Sequence, residues 1–343
     1  MGRPASFETP ATRAPQDEGG STLRSPKPPF SESSFVASQP ALNDATKAKL
    51  LLMLLALCWG LAWPIQKIAL EELSPWKVRL IGFTIGSACL IALCKLQGRS
   101  LGVPTRRDWI HILIASLFNV AAFGLFSTFA QLEATTSRVI IVNYSMPIWA
   151  SFLAWLILRE RITLNAMIGL ALCAAGLSVL VYPVASVQTP IGLWLALGCA
   201  LSWAGGTVYM KWARIGGDLL AITAWQIVIG VVVLGTGSLI FEGVPVIQPL
   251  KLETWLAIAF GGLFGTGLGY FLWYHVIGKL STATASLGSL ANPVVGIVGS
   301  VILLGERPTT ADMIGFALIF AAAVCVLVAP ARNAVAKSQA PVS

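Results

Sequence analysis

Charge is scarce in this chain: 11% of its 343 residues are Asp, Glu, Lys or Arg, while 56% are hydrophobic. One soluble core cannot absorb that much apolar side chain, so a bilayer must serve as part of the solvent. Histidine is scarcer still, with His111 and His275 alone, which excludes a histidine-rich membrane metalloenzyme. The six cysteines, Cys58, Cys89, Cys94, Cys173, Cys199 and Cys325, form no C-x-x-C pair. They read as packing residues, and no metal site is expected. A phosphate-binding loop of the form G-x-x-x-x-G-K-S/T is missing, as is any other cofactor-binding pattern, which removes direct drive by ATP. No cluster of Asp, His or Glu stands near a span end and no large polar loop occurs. A membrane-embedded enzyme acting on a lipid-linked substrate is therefore the weaker alternative. The net charge of +8 is spread singly or in pairs between apolar stretches, the pattern of topology signals rather than of nucleic-acid binding.

What is present is a succession of apolar stretches. Residues 1–47 carry seven prolines and many Ser and Thr, and predict a disordered cytoplasmic tail. From residue 49 onward ten stretches of about 20 residues alternate with short polar links, each long enough to span about 30 Å of hydrocarbon. They cover 50–70, 76–96, 109–130, 135–158, 163–182, 191–212, 219–241, 255–277, 282–304 and 310–328. With the N-terminus inside, inner links hold nine Lys and Arg and outer links six. That bias predicts a multi-pass inner-membrane protein with both termini cytoplasmic, including a short tail at 331–343.

The chain also matches itself. Pro147, Glu160, Arg161 and Gly169 recur as Pro293, Glu306, Arg307 and Gly315, all at an offset of 146, while Trp59 aligns with Trp203 at 144. Two five-helix repeats follow, at 48–186 and 187–330. Five is odd, so the second repeat enters the membrane from the opposite face, and the repeats are inverted. The fold class expected is thus an all-α membrane protein of ten transmembrane helices with a pseudo-two-fold axis in the membrane plane, the geometry of alternating access.

The chain carries Trp59-Gly60 early in the first span, Pro75 with Arg79 opening the second, Pro147 before Leu158-Arg159-Glu160-Arg161, and Asn292-Pro293 before Leu304-Gly305-Glu306-Arg307. On these residues the chain, over roughly 49–330, resembles the EamA-type repeats of the drug/metabolite transporter superfamily. The resemblance implies a secondary transporter, commonly an exporter of amino acids or related metabolites, with a small organic solute held between the repeats. Arg159 stands where the family usually has glycine.

Candidate site residues come from what is unusual inside the spans. Pro147 and Pro293 each deprive the carbonyl four residues earlier, at Asn143 and Ser289, of its helical donor, and near the midplane such breaks flank a solute site or kink the helix. Trp59 and Trp203 lie too deep for an interface belt, unlike Trp76, Trp109, Trp194 and Trp255 at span ends. With Trp63, Phe123, Tyr144, Tyr270, Trp273 and the neighbouring Phe126 and Tyr274 they suit a cavity wall for a solute with an apolar body and a polar head. Asn119, Asn143 and Asn292 are the choices for hydrogen bonds to that head; helix-to-helix bonds are the plainer use of each, as of Gln66, Gln131, Gln226 and His275. Arg138, close to Glu133, is a candidate gate or rim ion pair. Gly261, Gly265 and Gly269, with Gly82 and Gly86, form stripes where helices pack closely or slide, Gly265 being the candidate hinge. Lys67 and Lys211 read as topological, and Glu160 and Glu306 as turn-holding residues that pair with Arg161 or Arg307 or bind a helix start. No acid lies deep in a span, so exchange or facilitated diffusion is favoured over proton coupling.

Overall fold

A computed structural model describes residues 40–160, 162–185, 190–244, 249–277 and 290–327, and all structural statements concern these. The expected tails at 1–39 and 331–343, Arg161, Lys279, and the Ser289 carbonyl lie outside them, as do the side chains of Tyr274 and His275. Every regular element among the described residues is helical. Among the described residues nine helices are long and apolar enough to cross a membrane, and a tenth apolar helix, Ala291–Leu304, is shorter. The first helix starts at Pro40, inside the segment expected as tail. Its opening residues include Ala41, Ala45, Lys47 and Ala48, whose helix propensity outweighs the polar composition of the stretch.

The chain runs α1 (Pro40–Ala69), α2 (Pro75–Leu96), α3 (Arg106–Ser116), a π-helical stretch π1 (Leu117–Ala122), and α4 (Phe123–Glu133). There follow α5 (Thr136–Asn143), α6 (Met146–Leu158), α7 (Leu164–Ala185), α8 (Ile191–Ala213) and α9 (Leu219–Glu242). The last elements are α10 (Leu252–Phe260), π2 (Gly261–Leu268), α11 (Gly269–Ile277), α12 (Ala291–Leu304) and α13 (Thr310–Leu327). Span three is therefore α3, π1 and α4; span four is α5 and α6; span eight is α10, π2 and α11.

Helix starts are fixed by sequence. Pro75 opens α2 behind Ser74, whose hydroxyl accepts from Lys77 N; Thr105 and Asp108 cap α3 reciprocally; Asp218 accepts from Leu220 N and Ala221 N at 2.9 and 3.1 Å. Asp108 and Asp312 are both buried, yet each sits in a first helical turn where backbone N–H groups and the helix dipole favour a carboxylate.

The packing obeys the repeat. Span two lies on span seven and span five on span ten, so repeat-related helices meet across the axis. Span three packs on span seven as span eight packs on span two, and span four packs on span six. The counterpart of that last contact joins spans nine and one, where Gly60 abuts the Asn292 carbonyl and Val295 of α12. The two repeats thus interlock through matching contacts rather than lying side by side.

Both Glu-bearing turns have the same build. Arg159 and Gly305 occupy the left-handed region at φ 55° and 66°, and the N–H groups of Glu160 and Glu306 close on the carbonyls of Ala154 and Ser300, both at 3.3 Å. Arg159 therefore makes the turn that glycine makes in the second repeat, at a steric cost that glycine does not bear. Arg159→Gly is expected to stabilise the protein by about 1 kcal/mol, read as a higher unfolding midpoint in detergent; a lower midpoint contradicts this account.

The two turns take different partners. Glu160 pairs with Lys211 at 2.5 Å, joining the first repeat to the second. Glu306 takes the helix-start option: it accepts from Thr136 N at 2.6 Å and from Ser137 N and Oγ at 2.9 and 2.6 Å. Arg138 is paired with Asp312, Nε to Oδ1 at 2.6 Å, and not with nearby Glu133, because the folded bundle brings the start of α13 against α5. Lys67 donates to the Gln131 carbonyl. At the same end, Glu72 accepts from Thr254 Oγ1 and Lys251 N at 2.5 and 3.0 Å. These bonds, the Thr254 hydroxyl foremost, hold its carboxyl below the usual carboxylate range. The tie is fully present above that range and is lost only as pH falls through the lowered value.

Candidate functional site

A cavity of about 160 Å³ lies between the repeats. That is room for several waters, or for a small solute in their place. Its wall draws on both repeats: Trp59, Trp63, Phe83, Phe123, Asn119, Asn143 and Tyr144 from the first, and Trp203, Ile227, Gly261, Gly265, Thr266 and Tyr270 from the second.

The rings form a connected set. Trp63 meets Phe123 edge-on at 6.4 Å, Phe123 meets Trp203 at 5.0 Å, Trp203 stacks on Tyr270 at 6.4 Å, and Tyr270 meets Trp59 edge-on at 5.9 Å. Such contacts hold large side chains in place with little rotamer freedom, so the wall is preformed.

Two π-helical stretches flank the cavity, and residues 263–268 of π2 stand at the 146 offset from all of π1. A π-helical stretch widens the helix and releases carbonyls from the regular ladder. In π2 the Gly265 carbonyl accepts from Trp59 Nε1 at 3.0 Å; in π1 the Phe118 carbonyl accepts from the Ser202 hydroxyl at 2.6 Å. The donors belong to α1 and α8, the first helices of their repeats. Each repeat thus pins its opening helix to the π stretch of the other. Sequence reasoning placed Asn119 and Gly265 in the site but not the π geometry; the run Gly261-Gly262 through Gly267 and Gly269 is its one visible trace.

Asn119 Nδ2 donates to Gln226 Oε1 at 3.3 Å, and its Oδ1 lies against Gly206, where a Cβ would stand 1.9 Å away. Asn143 ends α5; it is 2% exposed, borders the cavity, and its Oδ1 has no partner among the described residues. Tyr144 also borders the cavity. Asn292 itself is buried one layer behind, with its Oδ1 unpartnered among the described residues. Trp273 likewise stands behind, 5.6 Å from Trp59, and does not border the cavity.

Pro147 and Pro293 fall in the first turns of α6 and α12. What reads in sequence as a kink in span four is a full break: α5 stops at Asn143 and α6 starts at Met146, with Ser145 Oγ donating to the Val142 carbonyl and accepting from Trp149 Nε1. Pro147, Pro293 and Arg138 lie outside the cavity wall. Span two contributes Val78, Arg79, Gly82 and Phe83, a share that the sequence did not announce; among the described residues span nine contributes none. Gln66 lines the cavity as well and donates to Gln131 Oε1 at 2.5 Å.

Spans enough for a bilayer, two interlocking repeats, and one preformed polar and aromatic cavity between them define a polytopic membrane transporter. The EamA-like transporter family matches residues 46–182 and 190–328, and the chain belongs to it. The uncharacterized transporter YvbV of Bacillus subtilis is 28% identical over 82% of this chain and 92% of its own length. A probable amino-acid metabolite efflux pump of Salmonella typhimurium is 25% identical over 79% of this chain and 91% of its own. One crystal structure of a protein superposes with a TM-score of 0.58 at 22% identity, covering 82% of this chain and 97% of that one, a likeness of fold alone.

Proposed function

We propose that this protein exports amino acids or related small metabolites across the inner membrane by alternating access, with both termini in the cytoplasm. The supporting observation is the cavity's position: its wall is assembled from spans of both repeats, so rocking one repeat against the other opens it to either side. Its lining combines rings for an apolar body with Asn119, Asn143, Gln66 and Thr266 for a polar head. The efflux of amino-acid metabolites carried in the Salmonella relative's name fits a solute of that kind and size.

Counterflow of labelled amino acids in proteoliposomes tests the reading. Asn143→Ala removes a buried acceptor at the wall and is expected to raise the half-saturating concentration roughly fivefold, the equivalent of about 1 kcal/mol for one hydrogen bond. Trp59→Ala, which breaks the ring set and the bond to Gly265, is expected to lose flux while the protein still inserts and elutes as one species. Wild-type kinetics in both would remove these residues from the site; no counterflow of any amino acid or related metabolite by folded protein would refute the export of such solutes.

A further inference from the structure

Arg79 borders the cavity in an orientation that its position in α2 does not favour. It is four residues past Pro75, so its Cα stands about 6 Å into the helix. Helical side chains lean toward their own N-terminus, and a basic residue this near a membrane surface ordinarily follows that lean outward to water. Arg79 goes the other way. Its Nε donates to the Gly124 carbonyl at 3.0 Å and its Nη2 to the Ser127 hydroxyl. Gly124 and Ser127 lie nine and six residues back from Glu133, where α4 ends on the same side, hence about 14 and 9 Å deep. The guanidinium also sits over the Phe83 ring at 5.3 Å.

Among the described residues no carboxylate pairs with it. The ion pairs among the described residues join Arg99, Arg138, Lys211 and Lys251 to acids at the two ends of the bundle. Its two named bonds engage two of five N–H donors, and both acceptors are neutral. A cation turned away from water without an acid is costly, and an anion entering the cavity offsets that cost. A guanidinium fork matches the two oxygens of a carboxylate, which a lysine ammonium does not.

The second, independent feature is Asn143 Oδ1, a buried acceptor at the same wall with no partner among the described residues. An acceptor there calls for a donor on the ligand, such as an ammonium group. Resting on the transport reading above, we infer that Arg79 anchors the carboxylate of the solute. The transported class is then small carboxylic acids with an apolar body, α-amino acids foremost, the body lying among Trp59, Trp63, Phe123 and Trp203.

The test is counterflow by the full-length protein in proteoliposomes against matched sets: amino acids, the 2-oxo acids of the same side chains, the corresponding decarboxylated amines, and neutral polyols. Wild type is expected to prefer acids over the matching amines by at least roughly tenfold, the scale of one charge-assisted bond. In Arg79→Gln that ratio is expected to collapse toward unity, and in Arg79→Lys to recover in part. A purely structural role for Arg79 would lower acids and amines in step and leave the ratio unchanged, which overturns the inference. Transport of amines or polyols in preference to acids also overturns it while leaving transport itself standing. No counterflow of any compound by folded protein overturns both.

Discussion

Glu306→Ala is expected to destabilise the protein by about 2–6 kcal/mol and to cut flux by more than tenfold. The first figure follows from burial: Thr136 and Ser137 are buried, and the mutation strips the acceptor from two backbone N–H groups, at about 1–3 kcal/mol for each one left unsatisfied. The local sequence offers no replacement, because the N-cap residue of α5, Thr135, makes no side-chain capping bond. Glu306 does that task from the other repeat. Flux suffers because α5 leads directly to the cavity: it ends at Asn143, and Thr136 Oγ1 accepts from Gln131 Nε2 while Gln131 Oε1 accepts from cavity-lining Gln66. Loss of the clamp leaves the start of α5 held by the Gln131–Thr136 bond and the Arg138–Asp312 pair. Glu306→Gln keeps one acceptor oxygen and is expected to lose about half as much stability. Unfolding midpoints in detergent and counterflow in proteoliposomes measure both; an Ala variant with wild-type midpoint shows that water caps α5 equally well.

That clamp illustrates what the sequence disclosed and what it withheld. Features with a period or a length were legible: apolar stretches, the 146 offset, the proline pair, and the prospect that Glu306 serves a helix start. Which helix start was not, because Thr136 and Glu306 are 170 residues apart and only the interlocked bundle joins them. Arg138 shows the same limit, since proximity along the chain favoured Glu133 and the fold supplied Asp312. Arg79 was visible as a basic residue at a span start, where an outward, topological role is the ordinary one. Its inward turn depends on the Gly124 carbonyl of another helix. The π stretches were hidden for a different reason: a five-residue hydrogen-bond step leaves the apolar composition of a span unchanged, so hydropathy cannot register it.

Gly262→Ala is expected to abolish the folded protein, whereas Gly261→Leu, one residue away, is expected to fold and not transport. The glycines at 261, 265 and 269 make the regular stripe in sequence, yet the close helix contact runs through Gly262. A Cβ on Gly262 would stand 2.8 Å from the Gly82 carbonyl and 2.6 Å from Ile85 Cβ, and one on Gly86 would stand 3.2 Å from the Gly262 carbonyl. Backbone meets backbone there, so no side-chain rotation relieves the overlap, and α2 must separate from π2. Overpacking costs about 1–3 kcal/mol where neighbours can shift, and more is expected where the obstacle is main chain on both sides. The stripe itself turns elsewhere: Gly265 faces Ala62, Gly269 faces Trp59, and a Cβ on Gly261 meets nothing within 4 Å because the cavity lies beyond it. Adjacent residues of a helix point about 100° apart, so the neighbouring glycines serve different surfaces, one for packing and one for the solute. A leucine at 261 fills space that a solute of about the cavity's 160 Å³ would need. Size-exclusion profiles in mild detergent distinguish the two variants, and counterflow is then measured on whichever folds. A monodisperse Gly262→Ala, or a Gly261→Leu with wild-type flux, would mean that the packing surface and the solute surface are not divided between these two glycines.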